Sequence, residues 1–156
     1  MFARNPRPNM DETAYSFDAQ PIEIQYNFAS VSDAKTVRKI VRFTETNVPN
    51  IFNLALLDVL DDGTESDVTV TDNQDLRTVL ATVMQIIDNF LAKFPGNIVT
   101  FQGSDDRRTR LYRIVISREL EAISRTYDVL GQFRYGLLEI FQPNREYAYF
   151  YIRLKR

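Results

Sequence analysis

Residues 71–96 read TDNQDLRTVLATVMQIIDNFLAKFPG, and this stretch decides the fold. Its start offers capping side chains and early acidic charge, which suit the unpaired amides at a helix N-terminus, and Pro95-Gly96 ends it. Apolar side chains recur at helical spacing on one stripe: Leu76, Val79, Leu80, Val83, Ile86, Ile87, Phe90, Leu91 and Phe94. The pattern predicts a helix of about 20 residues that must lie across a sheet to hide this stripe. The side chains expected to be buried against the sheet are Leu80, Val83, Ile87 and Phe90.

The segments before this helix are typical of β-strands. Apolar and polar side chains alternate over residues 22–28, and residues 37–44 are rich in β-branched side chains. Residues 51–60 are almost continuously apolar, which predicts a central strand buried on both faces. Shorter strands are expected within residues 15–17 and 68–70.

The segments after the helix continue the alternation of strands and helices. Residues 97–101 predict a strand, and Asp105 opens a second helix in which a break is expected near Ser117. Three strands are then expected at residues 127–133, 137–141 and 147–154.

The order of these elements predicts an α+β fold. Residues 14–156 are expected to form a single domain behind a flexible tail at residues 1–13. The expected architecture is a curved, mostly antiparallel sheet packed against one long helix, with a second, Arg-rich helix between strands.

The composition excludes several classes of enzyme. The 156-residue chain has no cysteine and no histidine, which rules out disulfides, thiolate ligands, Ser-His-Asp triads and imidazole zinc ligands. The candidate cluster for a hard cation is Asp58, Asp61, Asp62 and Glu65. Its Asp-Asp-Gly segment is typical of a hairpin turn, and its spacing departs from the calcium-loop pattern. We therefore predict neither a metal site nor a cofactor.

Charge is nearly balanced but unevenly placed along the chain. The formal net charge is −2, with a net of −6 in residues 1–78 and +4 in residues 79–156. Arginine supplies 15 of the 19 basic residues, and its planar guanidinium favours bidentate contacts with carboxylate or phosphate. The acidic first half argues against a wholly basic coat for nucleic acid. A solvated helix surface is the alternative explanation for the arginines.

The start of the second helix is the first candidate functional site. A Gly-Ser break followed by a helix presents free backbone amides that can hold a phosphate or another anion, and arginines strengthen such a site. The candidate residues are Gly103, Ser104, Arg107, Arg108, Arg110 and Arg113. Alternatively, Asp105 and Asp106 cap the helix and pair with these arginines.

The last strand is the second candidate. Tyr149, Tyr151 and Arg153 alternate along it, and aromatic side chains interleaved with arginine are typical of a surface that stacks single-stranded bases. Ordinary sheet packing is the alternative. If the strand lies at the edge of the sheet, its unpaired backbone favours a homodimer.

Three sequence segments carry a resemblance to a known family. They are GNIV at residues 96–99, Gly103-Ser104, and RTRLYR at residues 108–113. Together they resemble the signature of a family of short, uncharacterised bacterial proteins found mainly in Bacteroidetes. The resemblance implies a bacterial, intracellular protein, and it implies no catalytic residues.

These observations favour a non-enzymatic binding module whose partner is a protein or a single-stranded nucleic acid. One alternative is an acyltransferase, because the element order and the Leu111-Tyr112 pair resemble the GNAT enzymes. Residues 70–76, however, lack the glycine-rich turn with which those enzymes hold coenzyme A. The other alternative is a toxin-type ribonuclease, which the tyrosines and basic residues of the last strand suit by composition.

The sequence contains no recognisable targeting signal. Residues 1–14 lack the apolar core of a secretory signal, and no stretch approaches the roughly 18 apolar residues of a membrane span. The sequence therefore predicts a cytoplasmic protein that does not enter a membrane.

Overall fold

The computed structural model describes residues 23–31, 33, 35–67 and 73–156. The expected tail and the expected strands within residues 15–17 and 68–70 lie outside this part of the chain. In the described part, no helix is both long and apolar enough to cross a membrane.

The described chain forms strands and two helices in an α+β order. The strands before the first helix are β1 (Glu23–Val31), β2 (Thr36–Glu45), β3 (Ile51–Val59) and β4 (Glu65–Ser66). The remaining elements are α1 (Asn73–Lys93), β5 (Ile98–Phe101), α2 (Asp106–Ser124), β6 (Tyr127–Gln132), β7 (Leu138–Ile140) and β8 (Tyr149–Leu154).

The strands form one open sheet in the order β1-β2-β3-β5-β8-β6-β7, with β4 paired to β3. Every pairing is antiparallel except that of β3 with β5. Parallel neighbours require a crossover connection, and the segment that contains α1 supplies it. The predicted α+β class and the mostly antiparallel sheet are confirmed.

Both helices pack on one face of the sheet. On α1, the Phe90 ring stacks on Phe43 of β2 at a centroid distance of 4.0 Å. On α2, the Tyr112 ring contacts Phe101 of β5 and Phe150 of β8, which lie opposite each other in the register. The four α1 side chains expected in the core have relative exposures of 3% or less. Burying each large apolar side chain contributes about 1.5–3 kcal/mol, so this face holds the fold together.

The structure corrects the expectation that β3 is buried on both faces. Phe52, Leu54 and Leu56 are buried, whereas Asn53 between them is exposed. The reason is that α1 and α2 both cover the face to which Phe52 points, and the apolar run is a strand with one covered face.

One further expectation was wrong. The second helix has no break near Ser117, because α2 is continuous from Asp106 to Ser124. The condition on which a dimer through the last strand depended is not met, because β8 pairs with β5 on one side and with β6 on the other and is not at the sheet edge. In the described sheet the edges belong to β1 and β7, so the argument for a dimer through β8 loses its premise.

Candidate anion-binding site

The first turn of α2 already has an internal cap. The Asp105 carboxylate accepts a hydrogen bond from the Arg108 backbone N–H at 2.8 Å, and the Asp105 carbonyl accepts one from the Thr109 N–H at 3.0 Å. A cap of this kind satisfies the amides that would otherwise face a bound anion. The Asp105 carboxylate therefore lies where the sequence-predicted anion would bind.

Gly103 is required by packing against this same turn. A Cβ at Gly103 would overlap the backbone nitrogen of Thr109, and the Gly103 N–H donates to the Thr109 hydroxyl at 3.1 Å. The glycine thus allows the chain to approach α2 closely. The neighbouring Arg108 donates to the Asp67 carbonyl at 3.0 Å, and Arg107 is exposed.

Farther along α2, arginines line a groove of about 630 Å³. We define the arginine groove by Arg110, Arg113 and Arg118 of α2 and Arg145 of the loop before β8. Helical spacing places the three α2 residues on one side of the helix. Among the described residues that line the groove, Glu146 is the one carboxylate, so these residues carry a net positive charge.

Three of these arginines have side chains without a polar partner in the described part of the chain. The side chains of Arg110, Arg113 and Arg118 have no hydrogen bond or ion pair with any described residue. Arg145 differs, because its Nε lies 3.3 Å from a Glu139 carboxylate oxygen. Like charges gathered along one groove repel one another, and a bound anion would relieve that repulsion.

A polar cavity of about 560 Å³ adjoins the arginine groove and shares Arg113 and Glu146 with it. Four residues that the sequence proposed as a site come together in its lining: Gly103, Ser104, Arg113 and Tyr149. Asp106 and Arg134 also line the cavity, and these two exposed side chains approach within 3.5 Å of each other.

Tyr147 forms part of the cavity wall and is held in place by its hydroxyl. The Tyr147 hydroxyl donates to the Glu139 carboxylate at 2.6 Å and accepts from the Gln142 N–H at 3.0 Å. Burial raises the pKa of Tyr147, and the hydrogen bond to Glu139 raises it further. The side chain therefore stays protonated and acts as a fixed wall.

Tyr151 and Arg153 lie away from the groove. Side chains alternate along a strand, and the intervening Ile152 is buried on the face covered by the helices. The Tyr151 hydroxyl donates to Gln132 at 2.7 Å, and Arg153 forms a 3.2 Å ion pair with Asp128. The structure thus separates these two candidates from Arg110 and Arg113 instead of placing them on one surface.

The candidate metal cluster is divided among separate internal contacts. Asp58 is buried and paired with the buried Lys39 at 2.6 Å. The pKa of Asp62 is lowered by hydrogen bonds from Thr64, and that of Glu65 is lowered by its hydrogen bond from the Arg42 guanidinium. Among the described residues, no three acidic side chains lie in a group that could hold a metal ion.

A smaller crevice of about 140 Å³ lies between β3 and β5. The two parallel strands pair over three residues, from Ile51 to Asn53 of β3. The crevice begins at the end of that pairing and is lined by residues 53–56 and 102–104, with Arg108 and Tyr112 from α2. Burial raises the pKa of Tyr112 to about 12, so its hydroxyl stays protonated at neutral pH.

Sequence reasoning found part of the arginine groove and missed the rest. It proposed Arg110 and Arg113 but not Arg118, because the expected break at Ser117 separated Arg118 from them. Uninterrupted helical spacing over residues 110–118 was the signal that could have found it. Arg145 carried no such signal, because its position depends on how the chain enters β8.

The comparisons with known proteins identify a family. The model of a family described as a family of unknown function, DUF6934, matches residues 11–155. No curated protein and no solved structure matches the chain. The match confirms the expectation of an uncharacterised family, whereas the signature segments and the bacterial origin stay predictions.

Proposed function

The chain belongs to the DUF6934 family, and we propose that it is a non-enzymatic binding module whose arginine groove recognises phosphate groups of a partner. One observation carries this proposal: Arg110, Arg113, Arg118 and Arg145 line a single groove of about 630 Å³. The site is therefore displaced along α2 from the helix start that the sequence favoured.

Phosphate is the ligand chemistry that fits this groove best. A guanidinium offers a rigid fork of N–H donors that matches the oxygens of phosphate. Several guanidiniums along one groove match several phosphates, or one phosphate approached from more than one side. The chain as a whole has a formal net charge of −2, so attraction of an anion depends on this local field and not on the whole surface.

The groove supports binding better than catalysis. Guanidinium groups stay protonated in proteins and cannot exchange protons near neutral pH. Glu146 is the one carboxylate that the described residues contribute to the lining of the groove, and the chain has no histidine or cysteine. The groove residues thus provide charge and donors without a paired acid and base.

The test is a titration of fluorescently labelled single-stranded RNA and DNA at low and at physiological salt. The variant Arg110→Ala/Arg113→Ala is expected to weaken binding about tenfold or more, because each lost charged hydrogen bond costs about 1.5–3 kcal/mol. Its log–log salt slope should fall by about 0.7 for each lost phosphate contact. Inorganic pyrophosphate should compete with the labelled strand for the same groove.

A matched variant removes the same charge elsewhere. Arg38 is exposed on β2, and Arg125 follows α2 in a 3.6 Å ion pair with Glu121. The variant Arg38→Ala/Arg125→Ala should bind almost as well as the unmodified protein. The proposal fails if no strand binds at low salt, or if both double variants lose affinity equally.

An acyltransferase similar to the GNAT enzymes is the second candidate, and the β3–β5 crevice is the observation that favours it. Ligands of open sheets bind beyond the carboxyl ends of parallel strands, where this crevice lies. Tyr112 in its wall carries a protonated hydroxyl near neutral pH. Saturable heat on titration with acetyl-coenzyme A, lost in Tyr112→Phe, would favour the enzyme; no heat would favour the binding module.

A further inference from the structure

We propose that the phosphate-bearing partner is single-stranded RNA, with its phosphates in the arginine groove and a ribonucleoside in the adjoining polar cavity. This inference rests on the proposed function of the groove. It adds which nucleic acid is bound and which part of it enters the cavity.

The groove and the cavity are continuous at two side chains. Arg113 and Glu146 line both, and neither side chain has a hydrogen bond or ion pair with the described residues. A phosphate held by Arg113 therefore lies at the mouth of the cavity. The group esterified to that phosphate is then directed into the cavity.

The size and lining of the cavity suit a nucleoside. Its volume of about 560 Å³ falls within the roughly 300–1,000 Å³ of small-molecule sites. Tyr149, at the first position of β8, is a half-buried residue of the lining, and stacking on an aromatic ring is the usual way in which proteins hold an unpaired base. Gln102 and Ser104 add polar groups that can meet the base edge.

The charges of the cavity distinguish a sugar from a second phosphate. Asp105, Asp106 and Glu146 line it against Arg113 and Arg134, so a phosphate would be repelled there. An ionised carboxylate only accepts hydrogen bonds and therefore needs a donor on the ligand. Asp105 already caps α2, and Asp106 lies 3.5 Å from the Arg134 guanidinium, which leaves Glu146, at the junction, as the carboxylate whose side chain has no partner among the described residues.

A ribose hydroxyl is the donor that fits this position. The 2′-hydroxyl of RNA is both a donor and an acceptor, and DNA lacks it. Glu146 beside the phosphate site would therefore bind ribose and leave deoxyribose without a partner. Glu146 is exposed, and a hydrogen bond from a 2′-hydroxyl to its carboxylate is one that RNA can form and DNA cannot, so the geometry favours RNA over DNA.

The experiment compares three labelled strands of one base sequence: RNA, DNA and 2′-O-methyl RNA. We expect RNA to bind about tenfold more tightly than the other two, because neither of them can donate from the 2′ position. Glu146→Ala should bring the affinity for RNA down to that for DNA, without weakening DNA binding. Glu121→Ala is the matched control, since Glu121 is exposed on α2 outside the cavity.

The ratio of the RNA and DNA affinities separates the explanations. A purely structural role of Glu146 would weaken both strands, and a purely electrostatic role would strengthen both, so an unchanged ratio in Glu146→Ala overturns the inference. Equal binding of RNA and DNA by the unmodified protein, still dependent on Arg110 and Arg113, overturns the inference and leaves the proposed function standing. Absence of binding to any of the three strands overturns both.

Discussion

Lys39 and Asp58 form an ion pair in the interior, with side-chain exposures of 1% and 2% and a separation of 2.6 Å. The second carboxylate oxygen of Asp58 is buried and has no hydrogen-bond partner among the described residues. Taking two charges out of water costs several kcal/mol for each ion, and a partly satisfied pair recovers that cost poorly. Removing one partner of this pair and replacing both partners by apolar residues should therefore change the free energy of unfolding very differently.

We expect Lys39→Met to lower the free energy of unfolding by about 3–5 kcal/mol, because it leaves the Asp58 charge buried without a partner. Lys39→Met/Asp58→Leu should regain most of that loss or exceed the original stability, since no buried charge remains. Urea unfolding followed by circular dichroism measures both. A double variant as unstable as the sum of its single variants would contradict this account of the pair.

The role of a side chain was predictable from the sequence where that role depends on residues close to it in the chain. The alternative in which Asp105 caps the second helix follows from residue type and spacing alone, and the carboxylate does accept the Arg108 N–H. Tyr149 entered the list of candidates by composition, yet its position in the polar cavity follows from the approach of residues 146–149 to α2. No pattern within the last strand reports that approach.

The helix α2 contributes residues to both the arginine groove and the polar cavity. We expect its N-cap to stabilise the helix and its arginines to bind phosphate, so that the two roles can be tested separately. Asp105→Ala removes an N-cap and should lower the free energy of unfolding by about 0.5–2 kcal/mol, while phosphate binding at Arg110 and Arg113 persists. Arg110→Ala/Arg113→Ala should leave the melting temperature nearly unchanged, since neither side chain contacts a described residue through a hydrogen bond or ion pair.

Thermal melts and oligonucleotide titrations on the same two variants test this separation. If the double arginine variant melts well below the unmodified protein, the arginines support the fold, and a solvated or structural role replaces the binding role. If Asp105→Ala keeps its stability but loses binding, the helix start is part of the site after all.

A whole helix or strand was predictable from the sequence where its buried apolar side chains recur at the spacing of that element. The stripe of α1 has the period of a helix over five turns and predicted Leu80, Val83, Ile87 and Phe90 in the core. The order of the strands has no such signal. The insertion of β8 between β5 and β6 depends on pairing between distant parts of the chain, which periodicity along one strand does not encode.

At the scale of the whole molecule, exposed apolar side chains are concentrated at one edge of the sheet. Among the described residues, four of the eight exposed large apolar side chains lie within residues 135–140: Tyr135, Leu137, Leu138 and Ile140. β7 is the last strand of the sheet order, so its outer backbone groups are unpaired within the described sheet. An exposed apolar edge of this kind is a template for pairing with another chain.

A second copy of the chain fits this edge. Leu138 and Ile140 lie on one face of β7, on either side of Glu139, because side chains alternate along a strand. In an antiparallel pair of two β7 strands centred on Glu139, Leu138 of each copy lies opposite Ile140 of the other. Such a two-fold contact is self-complementary on the face of Leu138 and Ile140, and it would continue the sheet from one copy into the next. On the other face the two Glu139 carboxylates lie opposite each other, and the Arg145 guanidinium 3.3 Å from each Glu139 offsets their repulsion.

We therefore expect a homodimer through β7, in place of the contact through β8 that the sequence suggested. Light scattering on concentrated protein should give twice the 18.2 kDa chain mass. Leu138→Lys/Ile140→Lys should return the mass to that of one chain, because charges on both sides of the edge strand oppose pairing. Val48→Lys, at an exposed apolar residue between β2 and β3, should leave the dimer intact. A mass of one chain at every concentration for the unmodified protein would exclude the β7 contact, and loss of the dimer in Val48→Lys would move it to another surface.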